Sequence, residues 1–361
     1  MKKLVLGIAV LMTPLAFAQT EIKFDANVNF LTGMPESIQM GEASGVALNS
    51  KGHVFVFSRG NSVGPAYGAT ASQLLEFDAA GKYIREIGHN LYAWSFAHTV
   101  SVDKEDNIWV IDKGSNMIVK FNPAGRAVMV FGRKKEASDE GAEPDKHPSP
   151  PLPAVDGQFR QPTGVAWDKM GDVFISDGYI NSRVAKYDKD GHWMMQWGDR
   201  GTEEGKFNTP HTIANDADGN IYVGDRGNRR IQVFDPEGKL LRVIHIDVPV
   251  PADAQPWMGR TPTPAQGVAQ SGAPWAICIT PGPGTQYLYS ADAYPGRIYK
   301  MSLEGKVLGY FGKSGRMPKE FGWIHQMACQ SENTLLVGEI LNWRVNKITM
   351  HPDASQTLGK K

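Results

Sequence analysis

The chain is poor in several features, and each shortage excludes a class of protein. Its 361 residues include only two cysteines, too few for a disulfide-rich scaffold or a thiolate metal cluster. Basic and acidic residues balance at 38 each, so there is no cationic excess for phosphates and we expect no nucleic-acid partner. Beyond the N-terminus no apolar run approaches the roughly 18 residues of a membrane span. These shortages leave an ordinary globular protein.

The first 18 residues have the pattern of a secretory signal peptide. Lys2 and Lys3 provide a positive start, residues 4–15 are apolar, and residues 16–18 read Ala-Phe-Ala, as at a cleavage site. No cysteine follows that could carry a lipid. We therefore predict export to the periplasm or beyond without a membrane anchor, with residues 19–361 forming a single, monomeric domain.

One unit recurs along the mature chain. Stretches starting at Gln161 and Thr209 share a short apolar strand, a D-x-x-G turn, an alternating strand ending in Asp, an N-x-R turn and two further strands. Six such four-stranded units predict an all-β fold, a six-bladed β-propeller of NHL-type repeats. The alternating segment Ile22 to Phe30 is expected to close the ring on the last blade. The other four units begin at Ser44, Ala97, Pro274 and Trp323.

Two proline-rich segments, 133–158 and 247–272, interrupt this rhythm between blades. They are interpreted as surface loops, with a lid or wall over one face of the ring as the alternative. Trp257 and Met258 favour an apolar contact within the second segment.

Histidine recurs at one position of the repeat. Its three copies are separated by 113 and 114 residues, which is two blades each time. Histidine makes up 9 of 361 residues, so three chosen positions would all hold it by chance about once in 64,000 sequences, or about once in 1,600 after allowing for roughly 40 possible sets of positions. Chance therefore does not account for the pattern. The position, at the start of each first strand, holds Ser44, His98, Thr163, His211, Trp275 and His325.

These histidines are predicted to form a metal site. The first strand of each blade lines the central channel, and alternate blades of a six-fold ring lie about 120° apart. His98, His211 and His325 should therefore meet on the axis at one height. Catalytic zinc uses three protein ligands and keeps a fourth position for water or substrate. Neutral imidazole also suits copper, iron and nickel, so Zn²⁺ is favoured among several metals.

Cationic residues are predicted at the same end of the ring. Arg59 and Arg226 follow the second-strand Asp position in blades 1 and 4, where blades 2 and 3 have Lys113 and Gly178. Guanidinium binds a carboxylate bidentately, so the arginines suit a carboxylate substrate, with ion pairs between blades as the alternative. Tyr179 lies nearby in SDGYINSR. It is either a packing residue or, beside a metal and an arginine, a base.

These motifs resemble the peptidyl-α-hydroxyglycine α-amidating lyases, the lyase domain of peptidylglycine α-amidating monooxygenase. The resemblance runs over essentially the whole mature chain and is carried by FSRGN, AHTVSVD, SDGYINSR, PHTIANDADGNIYVGDRGNRRIQ and IHQ. It implies a catalytic zinc on three histidines, a tyrosine base and two substrate-binding arginines. The matching residues here are His98, His211, His325, Tyr179, Arg59 and Arg226.

Several positions depart from that family. Ile180 stands where the family has a disulfide cysteine, and Trp323 replaces a methionine near the substrate. The family binds a structural Ca²⁺ through an aspartate after the third histidine; Gln326 here keeps an oxygen but no charge, which weakens a Ca²⁺ site. Cys278 and Cys329 fall on the first strands of neighbouring blades. We expect buried thiols, with a disulfide as the alternative in an oxidising compartment.

The resemblance and the residues together predict a zinc-dependent carbon–nitrogen lyase. It would cleave a peptidyl- or N-acyl-α-hydroxyglycine to a primary amide and glyoxylate, the second half of peptide amidation. Two alternatives stay open: another metal-dependent propeller hydrolase such as a lactonase, and a non-catalytic NHL-repeat binding propeller. Lactonases of this fold commonly use acidic metal ligands, and the inner positions here hold none.

Overall fold

Short antiparallel strands make up nearly all of the regular secondary structure in the protein, a computed structural model that describes residues 20–60, 72–134, 153, 155–254 and 269–351. The strands form six four-stranded sheets, and the innermost strands of successive sheets contact one another around a ring. The predicted six-bladed β-propeller is therefore confirmed. The predicted leader, residues 1–18, lies outside the described residues, as do Trp257, Met258 and most of both proline-rich segments.

Five blades use four consecutive strands each. Blade 1 contains β2 to β5 (Glu42–Leu48, Val54–Arg59, Ser72–Phe77 and Tyr83–Ile87). Blade 2 contains β6 to β9 (Ala97–Val102, Ile108–Asp112, Met117–Phe121 and Ala127–Phe131). Blade 3 contains β10 to β13 (Gly164–Trp167, Val173–Asp177, Arg183–Tyr187 and Trp193–Trp197). Blade 4 contains β14 to β17 (Pro210–Asn215, Ile221–Asp225, Arg230–Phe234 and Leu240–His245). Blade 5 contains β18 to β21 (Ala276–Ile279, Tyr287–Ala291, Ile298–Ser302 and Val307–Phe311).

The sixth blade joins the two ends of the chain. It contains β22 to β24 (Ile324–Ser331, Thr334–Glu339 and Arg344–His351), and its outer strand is β1 (Lys23–Asn27). β1 runs antiparallel to β24, with partners from Lys23 and His351 to Asn27 and Lys347. The predicted closing strand is thus confirmed, although it is shorter than the segment from Ile22 to Phe30. Its pairing covers an edge of β24 that would otherwise be open.

The D-x-x-G signature makes the tight turns between inner strands. In blade 4, Asp216 Oδ1 accepts hydrogen bonds from the backbone N–H groups of Asp218 and Asn220, both at 2.9 Å. Gly219 has φ of +87°, a left-handed conformation that costs glycine little. The turn therefore sets the hairpin between β14 and β15, and each first strand returns to the same depth in the channel.

Apolar side chains fill the space between neighbouring blades. Between blades 1 and 2, for example, Phe57, Trp94 and Phe121 are essentially fully buried in one cluster. Burial of such a side chain stabilises the fold by about 1.5–3 kcal/mol. This packing holds adjacent blades at a fixed angle, which fixes the relative positions of the residues on their inner strands. Among the described residues, no helix has the length and apolarity to cross a membrane.

The two cysteines are joined, so the expectation of buried thiols is wrong. Cys278 on β18 and Cys329 on β22 form a disulfide with Cα atoms 5.7 Å apart. The reason is topological, since β18 and β22 are adjacent inner strands and both cysteines lie at the same depth. The disulfide therefore ties blade 5 to blade 6, the blade that closes the ring.

Candidate metal centre and its rim

Each of the three histidines occupies a β-bulge. The strand register shifts between Ala97 and Thr99, between Pro210 and Thr212, and between Ile324 and Gln326. A bulge adds one residue opposite a single partner and turns its side chain in a new direction. The extra residues here are His98, His211 and His325, which are 0%, 0% and 3% exposed.

The next blade orients each imidazole. Nδ1 of His98 donates to the carbonyl of Thr163 at 2.8 Å, and Nδ1 of His211 donates to that of Trp275 at 2.8 Å. Nδ1 of His325 donates to the carbonyl of Ser44 at 2.6 Å. Each acceptor occupies the histidine position of the following blade, so one contact is repeated three times. It fixes the tautomer and leaves Nε2 with a lone pair.

The arrangement fits a metal ion. One ring nitrogen from each histidine can be chosen so that all three lie within 4.8 Å of one another. Burial lowers the pKa of each imidazole well below its ordinary value, and neighbouring cations lower it further. Three neutral, oriented and convergent nitrogens are the ligand set of a catalytic zinc site. The structure thus brings the predicted triad together.

Buried carboxylates at the ends of the second strands hold the loops around this centre. Asp112 accepts from the backbone N–H groups of Ser95 and Phe96, and Asp225 accepts from that of Asn208. Glu339 does the same for Gly322 at 2.7 Å. Each loop leads directly into a first strand, so these bonds position the bulges. They also position the residues that directly follow the carboxylates, and we call this set of residues the rim.

The residue that occupies the rim position in blade 3 is not the one that the sequence alignment gave. Tyr179, and not Gly178, donates its N–H to the loop before the first strand, just as Arg226 does in blade 4. Blade 3 has one additional residue at this turn, Gly178, where a Cβ would lie 2.2 Å from the carbonyl oxygen of Pro210. The glycine is therefore required by close backbone approach, and Tyr179 takes the rim position.

The hydroxyl of Tyr179 reaches the metal centre. Its Oη lies 3.1 Å from Nε2 of His211 and 3.4 Å from Nε2 of His98. Burial raises the pKa of the Tyr179 phenol, but the charges of Arg226, Lys113 and Arg59 outweigh burial and leave that pKa below its ordinary value. The phenol is therefore placed, and electrostatically prepared, to take a proton near the three imidazoles.

Arg226 is a buried cation with unused donors. Its side chain is 6% exposed and stacks on Trp275, with the guanidinium carbon 4.0 Å from the ring centre. The same carbon lies 5.3 Å from the centre of the Tyr179 ring. Nε and Nη1 are buried without a hydrogen-bond partner among the described residues. Buried polar groups are normally paired, so two such donor nitrogens indicate a place for an anionic ligand.

Arg59 has a different environment. Its Nε donates to Glu42 Oε2 at 2.6 Å, its Nη1 donates to the carbonyl of Ala97 at 2.9 Å, and it stacks on Phe96. Both charged side chains of the pair are about 95% buried. Arg59 thus forms its ion pair within blade 1, and not between blades as the sequence left open, while its bond to Ala97 anchors the residue next to His98.

Lys113 was not assigned a role from the sequence, although it shares the rim position with both arginines. Its side chain is 8% exposed, and its Nζ lies 4.0 Å from the centre of the Tyr179 ring. Glu42 was missed as well, because it precedes the repeat motif. The signal for Lys113 was the positive charge recurring at one position in blades 1, 2 and 4.

The other half of the rim is apolar. Ala293 and Ile340 occupy the positions after the carboxylates of blades 5 and 6, and both are 2% exposed. Trp275 and Trp323 meet edge to face with ring centres 4.7 Å apart, and Trp275 also contacts His211. The centre therefore lies between a cationic side and an aromatic side.

The structural Ca²⁺ of the resembled family does not fit this chain. Gln326 Oε1 accepts from the backbone N–H groups of Val46 and Val100, at 3.0 and 3.1 Å. Its Nε2 donates to the carbonyl of Val100 at 2.7 Å. A cation at Oε1 would face two N–H donors, so the amide itself links blade 6 to blades 1 and 2 across the channel.

Known proteins match both the fold and the sequence. The NHL repeat model matches residues 207–234. The chain is 28% identical over 329 residues to peptidyl-glycine alpha-amidating monooxygenase A of Xenopus laevis, a match that covers 84% of this chain and 31% of that protein. It is also 28% identical to a probable peptidyl-alpha-hydroxyglycine alpha-amidating lyase of Caenorhabditis elegans, covering 60% and 62% of the two chains. Mouse NHL repeat-containing protein 3 is 30% identical over 201 residues, covering 53% of this chain and 51% of that protein.

Solved structures support the architecture. Virginiamycin B lyase from Staphylococcus aureus superimposes with a TM-score of 0.55 at 12% identity, covering 91% of this chain and all of that one. At this identity the likeness shows the fold alone. Fold and site therefore define an NHL-repeat β-propeller with three convergent histidines on its axis. The sequence relatives bear out the predicted resemblance: the chain is similar to proteins named as peptidyl-α-hydroxyglycine α-amidating lyases and to the amidating monooxygenases. It spans about a third of the length of the monooxygenase from Xenopus laevis.

Proposed function

We propose that this chain is a zinc-dependent lyase that cleaves an N-acyl- or peptidyl-α-hydroxyglycine to a primary amide and glyoxylate. One observation carries the proposal: the buried guanidinium of Arg226, with two donor nitrogens that have no hydrogen-bond partner in the described part of the chain, lies beside a phenol that contacts two of three convergent histidines. The arrangement supports the proposal, because Arg226 would act as the anion-binding group and Tyr179 as the proton acceptor beside a metal held by the three histidines. An α-hydroxy carboxylate has the matching pair of groups.

His98, His211 and His325 would hold the zinc through Nε2, and zinc bound there supplies Lewis acidity toward the substrate hydroxyl. Arg226 binds the substrate carboxylate through its free N–H groups. Tyr179 accepts the proton of the α-hydroxyl at Oη. The O–H electron pair forms the aldehyde C=O, and the C–N bond breaks with its pair going to nitrogen. Tyr179 returns the proton to that nitrogen, so R–CO–NH–CH(OH)–COO⁻ becomes R–CO–NH₂ and OHC–COO⁻.

Export is part of the proposal. The leader pattern of the first 18 residues and the disulfide between Cys278 and Cys329 both suit an oxidising compartment such as the periplasm. We propose a monomer that acts there, or outside the cell, on a small peptide or acylated substrate, with neither a membrane anchor nor a nucleic-acid partner.

The direct test measures glyoxylate release and metal content together. The purified protein should contain about one transition-metal ion per chain and should release glyoxylate and benzamide from N-benzoyl-α-hydroxyglycine. Arg226→Met should lose most of this activity and keep the metal, because Arg226 is not a metal ligand. Glyoxylate release no faster than in buffer would contradict the lyase. A chain that also lacks metal would favour the non-catalytic NHL-repeat propeller, whereas metal with esterase activity on lactones would favour a propeller hydrolase.

A further inference from the structure

Thr163 links the strands that carry two of the three histidines. It holds in blade 3 the position that histidine holds in blades 2, 4 and 6, and it is fully buried. Its carbonyl accepts from Nδ1 of His98 at 2.8 Å and from the hydroxyl of Thr99 at 2.7 Å. Its hydroxyl donates to the carbonyl of Pro210 at 2.7 Å, and Pro210 directly precedes His211. One residue of blade 3 therefore contacts a histidine in blade 2 and the neighbour of a histidine in blade 4.

The equivalent residues of blades 1 and 5 do not make this second contact. Ser44 in blade 1 accepts from Nδ1 of His325 at 2.6 Å, as Thr163 does from the histidine of blade 2. Its hydroxyl, however, donates at 3.0 Å to the carbonyl of Phe57, which lies on the second strand of its own blade. Blade 5 has Trp275 at this position, which has no hydroxyl. Of these three described positions, Thr163 is the one whose hydroxyl reaches the next strand that carries a histidine.

The Thr163 side chain also lies under the turn that carries Tyr179. A Cβ on Gly178 would lie 2.7 Å from Thr163 Cγ2 and 3.0 Å from its Oγ1, so the backbone of that turn packs directly on the threonine. Tyr179 Oη in turn lies 3.1 Å from Nε2 of His211 and 3.4 Å from Nε2 of His98. The two histidines that Thr163 connects are thus the two that contact the phenol.

We propose that Thr163 is a positioning residue of the metal centre: its carbonyl orients His98, its hydroxyl fixes the start of β14, and together they set the separation and relative angle of the His98 and His211 imidazoles. This inference rests on the metal site of the proposed function and deepens it, because it names the contact that fixes two ligands relative to each other. Hydrogen bonds behind the ligands govern how tightly and in what geometry a metal is held. Loss of the hydroxyl should therefore alter the metal site and not only the stability of the ring.

Metal binding tests the inference without turnover. Zn²⁺ affinity is measured by competition with a chelator, and the visible absorption of the Co²⁺-loaded protein reports the coordination geometry. Three variants separate the roles of the side chain: Thr163→Ser keeps the hydroxyl, Thr163→Ala removes it, and Thr163→Val replaces it with a methyl group. The hydroxyl oxygen lies 2.7 Å from the carbonyl oxygen of Pro210, whereas a carbon needs about 3.3–3.6 Å. Thr163→Val must therefore also move the two residues apart by roughly 0.6–0.9 Å.

Thr280→Val is the matched control. Thr280 is also a buried threonine, and its Oγ1 accepts from the backbone N–H of Tyr287 at 2.8 Å. It follows β18 at the end of that strand opposite to Trp275, so its hydroxyl contacts none of the three histidines. The control thus makes the same chemical change to a buried hydroxyl away from the metal centre.

Thr163→Val should weaken Zn²⁺ binding by about 10- to 100-fold, the usual effect of removing a group that orients a ligand. Its Co²⁺ spectrum should differ from that of the parent in the position or intensity of the visible bands. Thr163→Ala should change both in the same direction, and Thr163→Ser should restore both to the parental values. Thr280→Val should keep the parental affinity and spectrum, although the melting temperatures of the metal-free Thr280→Val and Thr163→Ala proteins should both fall, because each loses a buried hydrogen bond. If Thr163→Val does not fold, Thr163→Ala decides the result.

Three results would overturn the inference. Parental affinity and spectrum in Thr163→Ala would make Thr163 a packing residue, even if Thr163→Val alone is impaired by its methyl group. Equal weakening in Thr280→Val would show a general effect of lost stability, and a parent that binds neither Zn²⁺ nor Co²⁺ would remove the metal centre itself. If the Thr163 variants behave as expected but the parent releases no glyoxylate, the positioning role stands and the proposed lyase reaction fails. If the parent releases glyoxylate and Thr163→Ala binds metal as the parent does, the lyase stands and this inference fails.

Discussion

Replacing Tyr179 with phenylalanine removes one oxygen atom from the centre of the site. The ring remains against Lys113 and Arg226, and its backbone bond to the loop before β10 is unaffected. What is lost is Oη, which lies 3.1 Å from His211 Nε2 and 3.4 Å from His98 Nε2. The variant therefore separates proton transfer from packing and from metal binding.

The expected loss follows from the role of that atom. A positioned base contributes about 10²- to 10⁴-fold to a rate, which corresponds to about 2.7–5.5 kcal/mol of barrier. We expect a fall in kcat within this range for Tyr179→Phe, with KM changed by less than about threefold, since Arg226 still binds the carboxylate. Zinc content should equal that of the parent, because all three imidazoles keep their Nδ1 bonds.

The assay follows glyoxylate from N-benzoyl-α-hydroxyglycine, with metal analysis of the same samples. Tyr187→Phe is the matched control, because it removes a phenol from β12 of the same blade whose hydroxyl bonds to Asp156. That control should lower the free energy of unfolding by about 1 kcal/mol and leave turnover unchanged. Parental turnover in Tyr179→Phe would refute the base assignment, and loss of zinc in it would show that the phenol supports the metal directly.

Four further outcomes are expected. His211→Ala should lose bound metal while its thermal unfolding stays cooperative, because His211 lies at the channel and outside the apolar clusters; equal metal in mutant and parent would defeat the triad. Replacing Cys278 and Cys329 with alanine should cost up to about 4 kcal/mol, the chain entropy of a loop closed over 51 residues, and denaturant melts with unchanged midpoints would contradict this. Deleting Ile22 to Phe30 should lower the melting temperature by more than about 5 °C by exposing the edge of β24, and an unchanged melt would show another means of closure. A calcium chelator should leave the melting temperature within about 1 °C, because the Gln326 amide occupies the channel position; a clear fall would show that a calcium ion contributes to stability.

Much of the fold could be predicted because the repeat is strong. The D-x-x-G turns and the alternating strands gave the blade count, and the two-blade spacing of His98, His211 and His325 predicted their convergence. The prediction depends only on strand order around a ring, which the motif spacing preserves. It did not require knowledge of any single contact.

The finer geometry depends on contacts that a repeat alignment does not contain. A single added residue, Gly178, moved Tyr179 into the rim position, and an alignment by motif places the glycine there. The pairing of Arg59 with Glu42 joins a repeat residue to one outside the motif. Likewise, the disulfide between Cys278 and Cys329 forms because the two strands that carry these residues lie at matching depths in the channel. The positions of the two cysteines in the sequence do not give that depth.

The shared sixth blade has a consequence for how the molecule unfolds. An open stack of repeats has end units with one neighbour, and such stacks lose structure progressively from those ends. Here β1 and β24 belong to one sheet, and every blade has a neighbour on both sides. Unfolding of any one blade would remove two blade–blade interfaces at once, so no blade can unfold first as a free end. The six blades should therefore unfold together, with one common free energy of unfolding. Amide hydrogen exchange should accordingly give similar protection for the central strands of all six blades, including the sixth blade, which contains both β1 and β24.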